Sequence, residues 1–172
     1  MSDTKVSIGL IKPKSPSNVG AVMRAANCFQ ADAVFYTGER YKRAARFQTD
    51  TRNAIANIPL TGVDDLLAHV TRGTKVVCVE LVEGATALPD YRHPEKALYI
   101  FGPEDGTIDQ AIIDHADDVV YIPSFACLNL AAVVNVVLYD RQTKLGLEIV
   151  GDELIRQSRD TNNRVSVKLA TD

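Results

Sequence analysis

Short apolar segments alternate along this chain with segments whose apolar residues recur at helical spacing. Val6–Ile11 is a predominantly apolar run, Asn18–Phe29 has the pattern of a helix with one apolar face, and Ala33–Tyr36 is again strand-like. Residues 38–57 are weakly patterned and are predicted to form a loop with short helical pieces. Farther along, the same criteria predict strands at Lys75–Leu81, Ala97–Phe101 and Val119–Ile122, and helices at Val63–Val70, Ile108–His115 and Leu128–Leu145. Because strands that alternate with helices form mostly parallel sheets with helices on both faces, the sequence predicts an α/β fold of this kind.

The length of the chain limits it to one domain. Its 172 residues, 46% of them hydrophobic, suffice for one sizeable core but not for two full enzymatic domains. We expect residues 1–150 to form that domain and the polar residues 151–172 to form a C-terminal tail without an assigned role. Val119–Tyr139 contains no charged residue, but Pro123-Ser124 interrupts it. We therefore interpret this stretch as a buried strand, a loop and a buried helix of a soluble protein, not as a membrane span.

The cysteines and histidines show no metal-binding or disulfide pattern. Cys28, Cys78 and Cys127 lie about fifty residues apart without a C-x-x-C pair, and the three histidines are scattered. This usage excludes a small disulfide scaffold and a cysteine zinc site, and it fits a reducing compartment. Residues 1–5 lack the charged-then-apolar pattern of a signal peptide. We expect a cytoplasmic protein without a metal ion.

Positive charge is concentrated in the first third of the chain. The net charge is −3, yet residues 1–57 carry nine Lys and Arg against four Asp and Glu, a balance of +5, and residues 58–172 carry ten against eighteen, a balance of −8. The basic part includes Arg52 and the residues Lys12, Lys14, Arg24, Arg40, Lys42, Arg43 and Arg46. A basic face of this kind can meet a polyanion by neutralising phosphates, although a solvated surface that binds nothing has the same composition.

Three loops of the chain each follow a predicted strand. They are residues 12–21, 101–106 and 122–130. Because ligands of open α/β sheets bind beyond the carboxyl ends of the strands, the loops are expected to converge on one pocket. Common nucleotide and hydrolase signatures are missing, since no G-x-G-x-x-G, G-x-x-x-x-G-K-[ST] or G-x-S-x-G occurs.

The residues of these loops resemble three ordered motifs of a known family, the SpoU/TrmH branch of the SPOUT methyltransferases. The matching segments are, in order, Asn18-x-Gly20-Ala21-x-x-Arg24, Phe101-Gly102-x-Glu104, and Ile122-Pro123 followed by Leu128-Asn129-Leu130-Ala131. Their order and spacing match over most of the chain, from about residue 6 to residue 145. Any one motif would be weak, but three in order, each after a strand, are specific.

The resemblance implies a fold and a reaction. It implies that the C-terminal part of the α/β domain is threaded as a trefoil knot, that the protein is a homodimer, and that it binds S-adenosylmethionine (SAM). It further implies methylation of a ribose 2′-hydroxyl in RNA, usually tRNA for this small form without an added RNA-binding domain, with rRNA as the other candidate. The apolar helix from Leu128 is the expected dimer interface, because a helix that is apolar on more than one face is buried.

The resemblance implies catalytic roles for Asn18, Arg24 and Glu104. Arg24 would act on the 2′-hydroxyl as a base or, because a guanidinium stays protonated, by stabilising negative charge that develops on the oxygen. Ser17 or Asn18 is expected to cap the first helix. Glu104 is expected to hold Arg24 in position, and Asn129 to cap the last helix and tie the third loop to the first.

Two further sets of residues complete the predicted site. The residues predicted to bind RNA phosphates are Lys12, Lys14, Arg24, Arg40, Lys42, Arg43 and Arg46. Tyr41, which lies between two of them, would either pack or stack on an unpaired base. The cofactor-binding residues that the resemblance implies are Leu81, Phe101, Gly102, Glu104, Ile122, Cys127, Leu128, Asn129 and Leu130.

Two departures from the family pattern bear on the function. Only Asp105 separates Glu104 from Gly106, where two residues are usual, and Cys127 replaces a serine, which exchanges a hydroxyl donor for a weaker thiol. Two alternative hypotheses remain beside a ribose methyltransferase. One is a SPOUT enzyme that methylates a base nitrogen, and the other is an RNA-binding module of the same fold without catalytic activity.

Overall fold

Seven short strands form a single sheet in the computed structural model of the chain, which describes residues 5–46, 58–147, 149–159 and 164–167. The strands are β1 (Lys5–Leu10), β2 (Ala33–Tyr36), β3 (Leu60–Gly62), β4 (Lys75–Val79), β5 (Thr86–Ala87), β6 (Lys96–Phe101) and β7 (Asp118–Tyr121). The helices are α1 (Pro16–Cys28), α2 (Arg40–Ala45), α3 (Gln110–His115), α4 (Leu130–Lys144) and α5 (Asp152–Ser158). The strand order is β3-β2-β1-β6-β4-β7-β5, and every pair of neighbours is parallel.

Both faces of the sheet are buried, which confirms the predicted α/β architecture. Alternate residues of the central strand β6 point to opposite sides, so that Tyr99 and Phe101 belong to one apolar cluster and Leu98 and Ile100 to another. Helices α1 and α4 pack on each other and cover the first side. The segment 63–70 and α3 cover the second side. Strands of this kind are apolar throughout because neither face meets water.

Strand β7 lies between β4 and β5, although β4 and β5 are consecutive in the chain. Cys78 of β4 is in register with Val119, and Thr86 of β5 with Val120. The connection at 80–85 therefore joins the strands on either side of β7. Glu80 donates its backbone N–H to the carbonyl of Val120 at 3.0 Å, which fixes the start of this connection against β7.

The first helix begins earlier than predicted, so the expected cap is wrong. The N-cap is Ser15, whose Oγ accepts the backbone N–H of Asn18 at 3.4 Å, and Pro16 occupies the first turn. Proline is favoured there because its ring sets a helical φ and the missing N–H has no partner within the helix. Neither Ser17 nor Asn18 is the cap, and the side chain of Asn18 is thereby left for other contacts.

The helix predicted over Val63–Val70 is also wrong. The chain forms the edge strand β3 just before this segment, and only a short 3-10 turn at Leu67–His69 within it. The carboxylate of Asp65 accepts the N–H of Leu67 at 2.9 Å, a local bond that competes with a regular helix. The apolar pattern arises because Leu66 is buried on the sheet.

The C-terminal part of the described chain contains a long and a short helix. Helix α4 has 15 residues, and none of the helices in the described ranges is long and apolar enough to cross a bilayer. Ile149 and Leu154 line a cleft together with Phe29 and Leu138. The domain boundary at residue 150 stays a prediction.

Candidate functional site

Glu104, in the loop after β6, joins the second loop to the first. Its carboxylate accepts the backbone N–H groups of Lys14 at 3.0 Å and Ser15 at 3.2 Å, and the side-chain amide of Asn18 at 3.1 Å. These three donors come from residues that are about ninety positions earlier in the chain. Glu104 therefore fixes the loop after β1 and the start of α1 against the loop after β6.

Asn18 and Asn129 join the first loop to the third. Nδ2 of Asn129 donates to Oδ1 of Asn18 at 3.0 Å. Oδ1 of Asn129 accepts the N–H groups of Ala131 at 2.9 Å and Ala132 at 3.4 Å, so Asn129 caps α4. Both predicted roles of Asn129 are confirmed. The three predicted loops meet through the Glu104–Asn18–Asn129 network.

The network keeps Glu104 ionised. Burial works against the charge of its carboxylate, but the hydrogen bonds from backbone N–H groups and from Asn18 outweigh burial and lower the pKa of Glu104 below its ordinary value. A carboxylate that accepts three donors in its ionised form is a poor proton acceptor. Glu104 is therefore a positioning group in this structure and not a general base.

Beside the network, a cavity opens at the carboxyl ends of β4, β6 and β7. It is open to solvent at its mouth, and its enclosed volume is about 160 Å³. Eight residues predicted from the sequence line it, namely Leu81, Phe101, Gly102, Glu104, Ile122, Cys127, Leu128 and Leu130. Asn129 takes part in the network instead. The loops thus converge on one pocket, and contact of these residues with a cofactor stays a prediction.

The wall of the cavity is tightly built at Gly102. A Cβ at this position would lie 3.0 Å from Oε2 of Glu80 and 3.3 Å from Cγ1 of Ile108. A side chain at position 102 would therefore require Glu80 and Ile108 to shift by a few tenths of an ångström. Glu80 was not predicted from the sequence, because it lies outside the three motifs; its position directly after a buried strand was the signal that could have identified it.

The cavity is acidic. Glu80 and Glu104 line it, whereas no Lys, Arg or His of the described residues does. The apolar remainder includes Phe101, Leu128 and Leu130. Such a lining suits a ligand of nucleoside size that carries positive charge, and it disfavours a phosphorylated nucleotide.

Arg24 is exposed on α1 and is not held by Glu104, contrary to the expectation. Among the described residues, its guanidinium has no hydrogen bond or ion pair. The carboxylate of Glu104 instead accepts hydrogen bonds from three residues of the first loop and α1. Arg24 shares a helix face with Gly20, one turn earlier, where a Cβ would meet nothing within 4 Å. This open helix surface leaves the guanidinium free to meet a substrate.

The seven predicted phosphate-binding residues are all exposed. Asp105 pairs with two of them: the guanidinium of Arg40 donates to its carboxylate at 3.0 and 3.1 Å, and Nζ of Lys14 lies 4.0 Å away. The hydrogen bonds from Arg40 lower the pKa of Asp105. Tyr41 is buried edge-on against Tyr36, with ring centroids 5.0 Å apart, so it packs and does not offer a face to a base. Arg52 lies outside the described residues.

No cluster of three or more potential metal ligands occurs among the described side chains. The three cysteines of the chain are free, with Cys28 and Cys127 exposed and Cys78 buried. Burial, together with the nearby charge of Glu80, raises the pKa of the Cys78 thiol to about 12. Cys78 is therefore a packed thiol and not a nucleophile.

One comparison with known proteins identifies a family. Residues 5–139 match the model of the SpoU rRNA Methylase family. A comparison with curated protein sequences gave no significant match.

Solved structures with the same fold include several RNA methyltransferases. The TrmH/SpoU tRNA modifying enzyme of A. aeolicus superposes with a TM-score of 0.68 at 17% identity, over 94% of this chain and 83% of its own. AviRb of Streptomyces viridochromogenes, a SpoU methyltransferase solved with AdoMet, gives 0.68 at 20% identity, over 84% of this chain but only 59% of its own. A structure described as giving insight into the 2-OH methylation of C/U34 on tRNA gives 0.66 at 22% identity, over 85% and 94%.

Proposed function

The chain belongs to the SpoU rRNA Methylase family, and from this premise we propose that it transfers a methyl group from SAM to a ribose 2′-hydroxyl of a tRNA. Family membership indicates an RNA methyltransferase that uses SAM. The choice of the ribose hydroxyl rests on the paired motif residues Asn18 and Arg24, and tRNA as substrate is supported by the fold shared with tRNA-modifying enzymes.

The lining of the cavity supports SAM as its ligand. SAM supplies, when bound, an electrophilic methyl group on a positively charged sulfur. The backbone at Gly102 and the apolar side chains of Leu128 and Leu130 would hold its nucleoside part, and the lining contains carboxylates but no cation from the described residues. Cys127 lines the same wall, and the cavity stays open there. Its thiol stands where the family usually has a serine hydroxyl.

The observation that carries the proposal is the Glu104–Asn18–Asn129 network at the edge of this cavity. The network fixes the start of α1 beside the loops after β6 and β7. Arg24 lies six residues farther along the same helix, about 9 Å along its axis. We propose that a ribose bound beside this helix lies within reach of the guanidinium, although Arg24 does not itself line the cavity. Fixing such a geometry can supply much of the acceleration of a methyl transfer.

We propose that Arg24 stabilises the developing negative charge on the ribose oxygen. A guanidinium stays protonated, with a pKa above about 12, so it cannot easily accept the hydroxyl proton. Glu104 is also a poor acceptor, because its oxygens are already hydrogen-bonded. The proton is then released to solvent or to a phosphate oxygen of the RNA.

Arg24→Ala tests the assignment directly. We expect methyl transfer to fall by about 100-fold or more, as when a group that stabilises an oxyanion is removed, with the Kd for SAM changed by less than about threefold. The assay incubates the protein with tRNA and isotope-labelled SAM and identifies the product by nuclease digestion and nucleoside mass spectrometry. Arg72→Ala is the matched control. Arg72 is exposed and lies just before the amino end of β4, whereas the cavity lies at the carboxyl ends of the strands.

The outcomes separate the alternatives. A 2′-O-methylnucleoside supports the proposal, whereas a methylated base indicates the SPOUT base methyltransferase. A wild-type protein that binds no SAM at millimolar concentration would be the noncatalytic RNA-binding module. Normal turnover of Arg24→Ala would show that Arg24 does not stabilise the transition state.

We also propose that the protein is a homodimer through α4. The helix buries Val134, Val137 and Leu138 in the domain, but Val136 is 41% and Tyr139 62% exposed on its outer side. Val136 and Tyr139 lie three residues apart on one face of α4, where they would contact the partner helix. Sedimentation of the wild type against Tyr139→Glu tests this, with the variant expected to shift to the monomer.

A trefoil knot in the C-terminal part is a further proposal, and the strand order supports it. Because β7 lies between β4 and β5, the chain that leaves β7 for α4 starts beside the 80–85 connection that joins these two strands. A chain that passes through such a connection is knotted, which is rare in proteins.

A further inference from the structure

Glu80 places a carboxylate in the cavity wall where none of the three motifs requires one. Its Oε1 accepts the N–H of Leu81 at 2.9 Å, and its Oε2 accepts the N–H of Ile108 at 3.2 Å. Oε2 also lies next to Gly102, where a Cβ would approach to 3.0 Å. The carboxylate is thus held between the end of β4 and the loop after β6, in a fixed position on the cavity wall.

The charge of this group is not cancelled by a neighbouring cation. Its hydrogen-bond donors among the described residues are backbone N–H groups, and no Lys, Arg or His of that part of the chain lines the cavity. The other carboxylate that lines the cavity, that of Glu104, accepts three hydrogen bonds from the first loop and the start of α1. Glu80 is therefore one of two carboxylates that give the cavity negative potential, and it is the one on the β4 side.

The methyl donor and its product differ in charge at one atom. The sulfur of SAM is a cationic sulfonium, whereas that of S-adenosylhomocysteine (SAH) is a neutral thioether, and the rest of the two molecules is the same. A carboxylate fixed in a partly enclosed cavity attracts the cation and is indifferent to the thioether. The carboxylate of Glu80 can therefore distinguish SAM from SAH.

We propose that Glu80 is a specificity-determining residue that favours SAM over SAH through its charge. This inference rests on the proposed function, since it presumes that the cavity holds the methyl donor. The selection weakens product binding relative to substrate binding, which promotes exchange of SAH for SAM after each turnover. The two backbone hydrogen bonds of Glu80 fix the charge in place and are not themselves the source of the selection.

Calorimetry with SAM and with SAH tests this on wild type, Glu80→Gln and the control Glu83→Gln. Glu83 is an exposed carboxylate three residues later that does not line the cavity. We expect Glu80→Gln to raise the ratio of the Kd for SAM to the Kd for SAH by about tenfold, or about 1.4 kcal/mol. Glu83→Gln should leave the ratio within about twofold of wild type.

The ratio separates the charge of Glu80 from its structural role. If Glu80 only held the two loops, its replacement would weaken both ligands alike and leave the ratio unchanged, and that result would overturn the inference. A second variant, Glu80→Asp, keeps the charge on a shorter side chain, so its ratio should stay within about threefold of wild type. A rise of about tenfold for Glu80→Asp contradicts the proposal even if Glu80→Gln does not fold. If the wild type binds neither ligand, the proposed function fails, whereas binding of both with an unchanged ratio removes Glu80 alone.

Discussion

Asn129 has two separable tasks, and two substitutions distinguish them. Its Oδ1 caps α4 and its Nδ2 bonds Asn18. Asn129→Ala removes both interactions. Asn129→Ser keeps a good N-cap, because a serine hydroxyl can accept the same N–H groups, but its side chain is too short to donate to Asn18.

The structure sets the size of each effect. Loss of the cap costs about 0.5–2 kcal/mol, and loss of the hydrogen bond to Asn18 costs about 0.5–1.5 kcal/mol. We therefore expect Asn129→Ala to lower the free energy of unfolding by about 2 kcal/mol and Asn129→Ser by about 1 kcal/mol. For a chain of this length, the alanine variant should melt about 4–8 °C below the wild type.

Urea unfolding followed by circular dichroism, at one protein concentration for all variants, measures these differences. The same preparations are assayed for methyl transfer to tRNA. We expect both variants to lose activity, because in both Asn18 is released from the third loop. Equal destabilisation by serine and alanine would show that Asn129 does not act as a cap. Full activity of Asn129→Ser would show that its bond to Asn18 does not position the site.

Two further predictions follow from charged and titratable groups. Burial lowers the pKa of His93 despite its contact with Asp140, so the unfolded chain binds this proton more readily. The free energy of unfolding should therefore fall as the pH decreases below about 6.5, and urea titrations should show a flatter pH dependence for His93→Gln. Asp105→Asn releases Arg40 and Lys14 from their ion pairs. Fluorescence anisotropy with labelled tRNA should show tighter binding and a salt slope steeper by about one, whereas an unchanged slope would indicate that neither cation meets phosphate.

The central strands and the two long helices could be predicted because packing and pattern agree there. Both faces of β1, β4 and β6 are buried after the first residue of each strand, so their sequences are mostly apolar there. Helix α1 has buried residues at helical spacing, such as Val19, Val22 and Met23. The convergence of the three loops also followed from the sequence, because the carboxyl ends of parallel strands meet at one edge of the sheet.

The elements that escaped prediction depend on distant contacts or on very few residues. Strand β5 has two residues and β3 has three, too few for any pattern. The prediction that Glu104 holds Arg24 was wrong. The Glu104 carboxylate instead accepts backbone N–H groups, which every residue except proline carries and which no sequence pattern marks. No motif marks Glu80, whose position in the cavity depends on how the connection after β4 meets the loop after β6.

The separation of Asn18 and Asn129 by 111 positions has a consequence for biosynthesis. The ribosome incorporates Asn18 long before Asn129, and until Asn129 is made Oδ1 of Asn18 can bond only to water or to transient partners. A nascent chain that lacks the start of α4 therefore also lacks one side of the cavity, however well its earlier strands have collapsed. A half-made polypeptide of this type carries the basic residues of the first third of the chain beside an incomplete cavity.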